Sequence, residues 1–243
     1  MERRSAACQE CGYCPGVGWT GGTAGELQGL AQADLSQITT AVLARVRERL
    51  SGVASRLVPV AVSARHVHLT RQVLNVTYGP GYELTRLRDL SQPGEFSANE
   101  TLTVLGPRMH SIQEVRILGP VREYTQAELS RTDGVTLGLE LPVRDSGKLA
   151  GAAPIVLVGP RGAVSLEEGG IRALRHLHAG PDDAKRLGLA DGQSVSVRVR
   201  GEKGVVFDNV LVRVNPSYVL EMHLDTDDAN AADVHCGMLV EVL

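Results

Sequence analysis

Two short strings in this 243-residue sequence could do chemistry: Arg-His-Val-His at 65–68 and Arg-His-Leu-His at 175–178. Together they contain four of the seven histidines. On a β-strand, residues i and i+2 project from the same face. His66 and His68 then point together with Val67 turned away, and His176 and His178 repeat the arrangement around Leu177. Paired imidazoles suit zinc or a similar borderline cation, with bonds of about 2.0–2.1 Å to neutral rings. A single such pair is equally at home as exposed or hydrogen-bonded strand residues; two copies favour metal binding. Neither pair completes a site. His223 in "LEMHLDTDDANA", Glu128 in "YTQAELS" and Asp225 are candidate further ligands, and spacing does not choose among them.

Other residues offer less. Cys8, Cys11 and Cys14 form Cys-x-x-Cys-x-x-Cys, a spacing able to hold zinc or an iron–sulfur cluster. The fourth ligand is missing locally and Cys236 is far off, so a reduced tail fits better. Arg122 and Arg144, the latter beside Ser146 in "PVRDSG", have the planar guanidinium that grips phosphate. Taken singly, each reads as a solvated surface charge.

The elements that must position these residues are mostly strands. "VPVAVSA" alternates, as do "SVSVRVR" (194–200) and "VLVRV" (210–214). Three apolar runs end in the same Gly-Pro stop, at 103–107, 116–120 and 156–160. This punctuation, with 27 glycines and 11 prolines, predicts small β-barrels rather than a βα repeat. A helix is expected over 33–52, with Asp34 and Gln37 as a capping box and Leu35, Ile38, Val42 and Val46 on one face. A second helix is expected in "GPDDAKRLGLADGQ", from Pro181 to about Gly188. Residues 1–32, rich in Gly, Ala and Cys, read as a flexible tail.

A net charge of −3 and 3% aromatic residues argue against nucleic acid as a partner. No apolar run approaches the ~20 residues needed to cross a bilayer, and the N-terminus does not read as a secretory signal. A cytosolic chain with reduced cysteines is the expectation.

Several ordered strings point further: "VPVAVSARHVHLT", "LSQPGEFSANET", "ILGPVREYTQAELSRTDGVTLGL", "PVRDSG", "IRALRHLH" and "LEMHLDTDDANA". Together, over about residues 35–232, they resemble the phosphate propanoyltransferase family, zinc-dependent phosphotransacylases of bacterial microcompartments. The resemblance implies a mainly β fold of two interleaved barrels, one from 55–64 with 174–243, the other from 65–173 with a small inserted hairpin near 79–100. It implies two zinc ions per chain, one on His66, His68 and Glu128 and the other on His176, His178 and His223. It assigns phosphate to Arg122 and places Ser146 and Asn230 near phosphate and coenzyme A. The helix before the first strand would pack on the first barrel. Shell or cargo proteins of a microcompartment become partners, with residues 1–32 as a targeting segment. A homo-oligomer stays open.

The implied reaction converts acyl-CoA and phosphate into acyl phosphate and CoA, reversibly, with a propanoyl or acetyl group. No Gly-rich phosphate loop or Gly-x-Ser-x-Gly elbow is present, consistent with phosphate itself as the nucleophile. A metal-dependent hydrolase that opens on His-x-His would need the alternating helices of a (β/α)₈ barrel, which this chain lacks. A non-catalytic metal protein would need closed four-ligand sites.

Overall fold

The computed structural model describes residues 38–43, 45 and 56–243. They fall in two compact units, within Met1–Leu50 and Ser51–Leu243. In the first, residues 38–43 and 45 are helical (α1), with Ile38, Val42 and Leu43 exposed. The cysteine-rich tail and the rest of the helix expected over 33–52 lie outside the described residues.

The second unit runs β1 (Leu57–Ser63), β2 (His66–His68), α2 (Arg71–Tyr78), β3 (Arg86–Asp89), β4 (Phe96–Leu105), β5 (Ser111–Gly119), β6 (Gln126–Glu128) and α3 (Arg131–Leu137). It continues with β7 (Val143–Arg144), β8 (Ala153–Val158), β9 (Ala163–Ala173), β10 (His176–Ala179), α4 (Pro181–Leu187), β11 (Ser194–Val199), β12 (Val205–Val214), β13 (Glu221–Asp225), α5 (Thr226–Ala232) and β14 (Leu239–Val242). Among the described residues no helix is long and apolar enough to cross a membrane.

The strands close into two six-stranded barrels, as the mainly β reading expects. One has the order β1-β13-β10-β12-β11-β14. The other runs β4-β5-β2-β6-β9, and β8 closes it by pairing with both β9 and β4. Alternation builds each core: Val58 and Val60 of β1 and Val195, Val197 and Val199 of β11 turn inward with Leu177 and Met222. Val67, Ala98, Leu102, Val104, Val115 and Ile117 fill the other. Phe96 and Phe207 each add a buried ring to one core, and Tyr78 and Tyr82 pack against the core that holds Phe96.

The halves are wired alike. β2 runs parallel to β5 and antiparallel to β6; β10 runs parallel to β12 and antiparallel to β13. α2 and α4 follow the paired-histidine strands, and α3 and α5 follow β6 and β13. The expected helix from Pro181 forms, with Gly188 left-handed at its C-cap (φ 69°). Three further helices, α2, α3 and α5, were not legible from hydrophobic period because they span only seven or eight residues. Their caps are the legible part: Thr70 accepts from Val73 N, Ser130 and Asp133 form a capping box, and Asp225 accepts from Asp228 N.

The turn after β4 packs directly on α3, the helix that leaves the Glu128 strand. A Cβ added to Gly106 would sit 2.2 Å from the Leu137 backbone oxygen. Backbone on both sides leaves no side chain to yield. Gly106→Ala should therefore cost about 1–3 kcal/mol and lower Tm by roughly 3–10 °C. Thermal melts of the purified variant check this; an unchanged Tm would contradict the packing.

Candidate metal centre

Val67 and Leu177 lie in the two barrel cores, so the histidines flanking each of them project from the barrel outside. They are nevertheless buried, at 4–9% exposure. Antiparallel pairing supplies the third member of each group. His66 stands opposite Glu128 on β6, and His176 stands opposite His223 on β13. In each triad, His66–His68–Glu128 and His176–His178–His223, one candidate ligand atom per residue lies within 4.8 Å of the others. Of the acids left open by spacing, Asp225 is instead committed to capping α5, where its Oδ1 accepts from Asp228 N at 2.8 Å.

The first triad is tightly oriented. Glu128 Oε2 lies 3.6 Å from His66 Nε2, and Oε1 lies 3.7 Å from His68 Nε2. His66 Nδ1 donates to the Ala64 carbonyl at 2.8 Å, which leaves the Nε2 lone pair facing the carboxylate. Gln126 Nε2 and Ser146 Oγ both donate to Glu128 Oε1, at 2.6 and 2.9 Å. Gly147 N fixes the Gln126 amide by donating to its Oε1 at 2.9 Å.

The second triad repeats the plan. His176 Nδ1 donates to the Leu174 carbonyl at 2.8 Å. The His176 and His223 rings stack at 4.8 Å, and Tyr218 stacks on His178 at 4.1 Å. Both ring nitrogens of His178, and Nε2 of His223, are buried without a hydrogen-bond partner. Glu221, two residues before His223, brings Oε2 to 3.3 Å from His223 Nε2. Burial alone would raise the Glu221 carboxyl; its contacts with His223 and Ser91 outweigh that and hold it below the usual range.

The arginine before each histidine pair has the same task in both halves. Arg65 pairs with Asp133 and Arg175 with Asp228, each at 3.1 Å and each at the third residue of the helix after the third candidate ligand. A small cavity, about 20 Å³ for the centre of a water-sized sphere, is lined by His66 and Glu128 of one triad and His176 and His223 of the other. That is room for about one water.

Arg122 stands beside both triads. Its charge helps depress His68 and His178 alike, after burial and neighbouring histidines. Its backbone N donates to Leu69 O at 2.8 Å, Nη1 to Tyr124 OH at 2.7 Å and Nη2 to Glu95 Oε1 at 2.6 Å. Arg213, next to His178 in register, is paired with Asp145. Arg144 spends its guanidinium on the Ala150 and Val143 carbonyls. Asn230 is exposed on α5, and its backbone oxygen accepts from Lys203 Nζ at 2.6 Å. Sequence reasoning missed Gln126, Glu221, Glu95 and Arg213. The first two carried a signal: each lies two residues before a third candidate ligand, on the same strand face.

A metal fits these residues. His₂Glu and His₃ are donor sets for zinc and its neighbours, each short of the four ligands of a closed site. Bonds of about 2.0–2.2 Å in a tetrahedron set ligands ~3.3–3.6 Å apart, close to the 3.6 and 3.7 Å measured around Glu128. Burial holds the imidazoles in the ligating, neutral form: His68 and His176 are pushed well below 6.5, and His178 to about 3, first by burial and then by nearby positive charge.

This has a pH signature in metal-free protein. With His178 near 3 when folded and near 6.5 when unfolded, the unfolded chain binds more protons across that window. Stability is full above the unfolded value and is lost as pH falls toward the folded one. Chelator-treated protein should show Tm falling steadily from about pH 7 to pH 4. A Tm that held or rose over that range would contradict the burial of neutral imidazoles.

Comparison with known proteins identifies the family. The family model described as phosphate propanoyltransferase matches residues 59–235. A phosphate propanoyltransferase of Lachnoclostridium phytofermentans is 50% identical over 206 residues, covering 85% of this chain and 96% of that protein. Those of Thermotoga maritima and Priestia megaterium are 49% and 46% identical, covering 76% and 83% of this chain and 88% and 93% of their own. An enzyme of the acyltransferase class, this chain belongs to the phosphate propanoyltransferase family.

Proposed function

We propose that the protein transfers a short acyl group, propanoyl or acetyl, reversibly between coenzyme A and inorganic phosphate, using two zinc ions per chain. The observation that carries this reading is the pair of buried three-residue groups, each with two members lining one small cavity. His66, His68 and Glu128 would hold one ion, and His176, His178 and His223 the other. Zinc at such sets supplies Lewis acidity toward a leaving thiolate and toward phosphate oxygens.

The chain's own residues do the positioning. Arg122 has guanidinium hydrogens beyond those given to Tyr124 and Glu95, and these can grip phosphate oxygens beside both triads. Holding phosphate and thioester side by side removes most of the entropic barrier to their reaction. Phosphate is the attacking group, so no acyl-enzyme forms. Ser146 serves by fixing the ligand carboxylate of Glu128, and Asn230 meets the coenzyme from the exposed side of α5. The family resemblance extends the reading to enclosure in a bacterial microcompartment, with residues 1–32 as the targeting segment.

Thiol release from propanoyl-CoA should require both phosphate and bound metal, and metal analysis should give close to two zinc ions per chain. His66→Ala and His223→Ala should each lower kcat/KM by ~100-fold or more, since even outer partners of a metal ligand cost 10–100-fold. Circular dichroism should stay unchanged. Full activity in both variants would sink the proposal, and thiol release without phosphate would mark a hydrolase instead.

A further inference from the structure

Glu95 lies outside both triads, yet its carboxylate meets the arginine assigned to phosphate. Glu95 Oε1 accepts from Arg122 Nη2 at 2.6 Å. An isolated surface pair of this kind would mean little. This one is held from two sides. Its turn is closed by Leu90 N donating to Glu95 O and Glu95 N donating to Gln92 O, at 3.0 and 3.2 Å. Gly94 supplies the positive φ of 84° that the turn needs. Gln92, only 4% exposed, exchanges two hydrogen bonds with the Val219 backbone. Ser91 donates to Glu221, beside His223. The turn is therefore pinned to the strand that carries His223, while its last residue reaches the arginine next to both triads. Glu95 and Arg122 are 35% and 24% exposed, so solvent only partly screens them.

A carboxylate fixed against an anion-binding guanidinium is not neutral toward the anion. An oxyanion taken by the remaining Arg122 hydrogens would lie against Glu95. At neutral pH inorganic phosphate keeps at least one P–OH proton, whereas sulfate keeps none. A carboxylate accepts a hydrogen bond from P–OH; facing sulfate it meets only a second anionic oxygen. Sites built to bond a substrate hydroxyl reject analogues that lack it, and repulsion adds to that discrimination.

We propose that Glu95 is a specificity residue: it accepts the P–OH hydrogen bond of the bound phosphate and excludes fully deprotonated oxyanions such as sulfate. The inference rests on Arg122 as the phosphate site. No bond is made or broken in this step, and the proton stays on phosphate.

The test compares sulfate with phosphate on the full-length, zinc-loaded enzyme. In thiol-release assays, sulfate should compete weakly with phosphate, its Ki well above the phosphate KM. Glu95→Gln should lower the ratio of sulfate Ki to phosphate KM by about tenfold or more, because the amide offers a donor where the carboxylate repelled. Glu95→Ala should move the ratio the same way. An unchanged ratio in both variants overturns the assignment. So does wild-type enzyme that binds sulfate as tightly as phosphate, with no variant needed. Calorimetric titration of each anion, in the absence of acyl-CoA, reads the same selectivity without turnover. If wild-type thiol release ignores phosphate, the acyltransferase reading fails by itself, and the calorimetry still decides the role of Glu95.

Discussion

Strand register is the constraint on which the centre depends. Each triad exists because one histidine of a pair sits directly across an antiparallel ladder from its third partner, His66 from Glu128 and His176 from His223. Side chains alternate strictly along a strand, so a slip of one residue would turn the partner to the opposite face. What forbids the slip is the residue between the histidines. Val67 and Leu177 are fully buried in their barrels, and moving either out of the core would cost on the order of 1.5–3 kcal/mol. The core thus fixes the register, and the register assembles the chemistry on the barrel exterior.

Gathering these groups costs electrostatic energy, and the surroundings show how it is managed. Five histidines, Arg122 and Arg213 bring only one carboxylate, Glu128, into the triads themselves. Protonated imidazoles would be costly here, and burial answers by keeping His68, His176 and His178 neutral. The permanent cations are answered by acids from elsewhere in the chain: Glu95 for Arg122, Asp145 for Arg213, Asp133 for Arg65 and Asp228 for Arg175. Two of these, Asp133 and Asp228, also sit in the first turns of their helices, where the dipole favours negative charge.

Much of this was legible in the sequence, for identifiable reasons. The histidine pairs declared themselves because the spacing of two is a property of any strand. The barrels were legible because their strands alternate and end in repeated Gly-Pro stops. Glu128 and His223 could not be chosen by spacing, because an antiparallel partner can lie anywhere along the chain; only the family resemblance selected them. In hindsight the duplicated order of strand, helix, strand and helix makes them equivalent positions. Arg65 and Arg175 read as surface charges in isolation, since their partners lie 68 and 53 residues further on. Ser146, expected near phosphate from the resemblance, donates its hydroxyl to Glu128, a partner that spacing did not indicate.

The duplication also shows where the halves have diverged. On the face of β6 that meets the histidines stand Gln126 and Glu128; on β13 the matching positions carry Glu221 and His223. Each half keeps one carboxylate, but at alternate positions. In the first half it is a member of the triad, and an amide steadies it. In the second it has moved one step back, beside the triad, and an imidazole takes its place. Net charge on the two strand faces is therefore equal, while charge within the two triads differs by one. A divalent cation among three neutral imidazoles keeps its full charge for an incoming anion; among two imidazoles and a carboxylate it keeps about half. The same fold, used twice, thus sets two triads of unequal charge around one cavity.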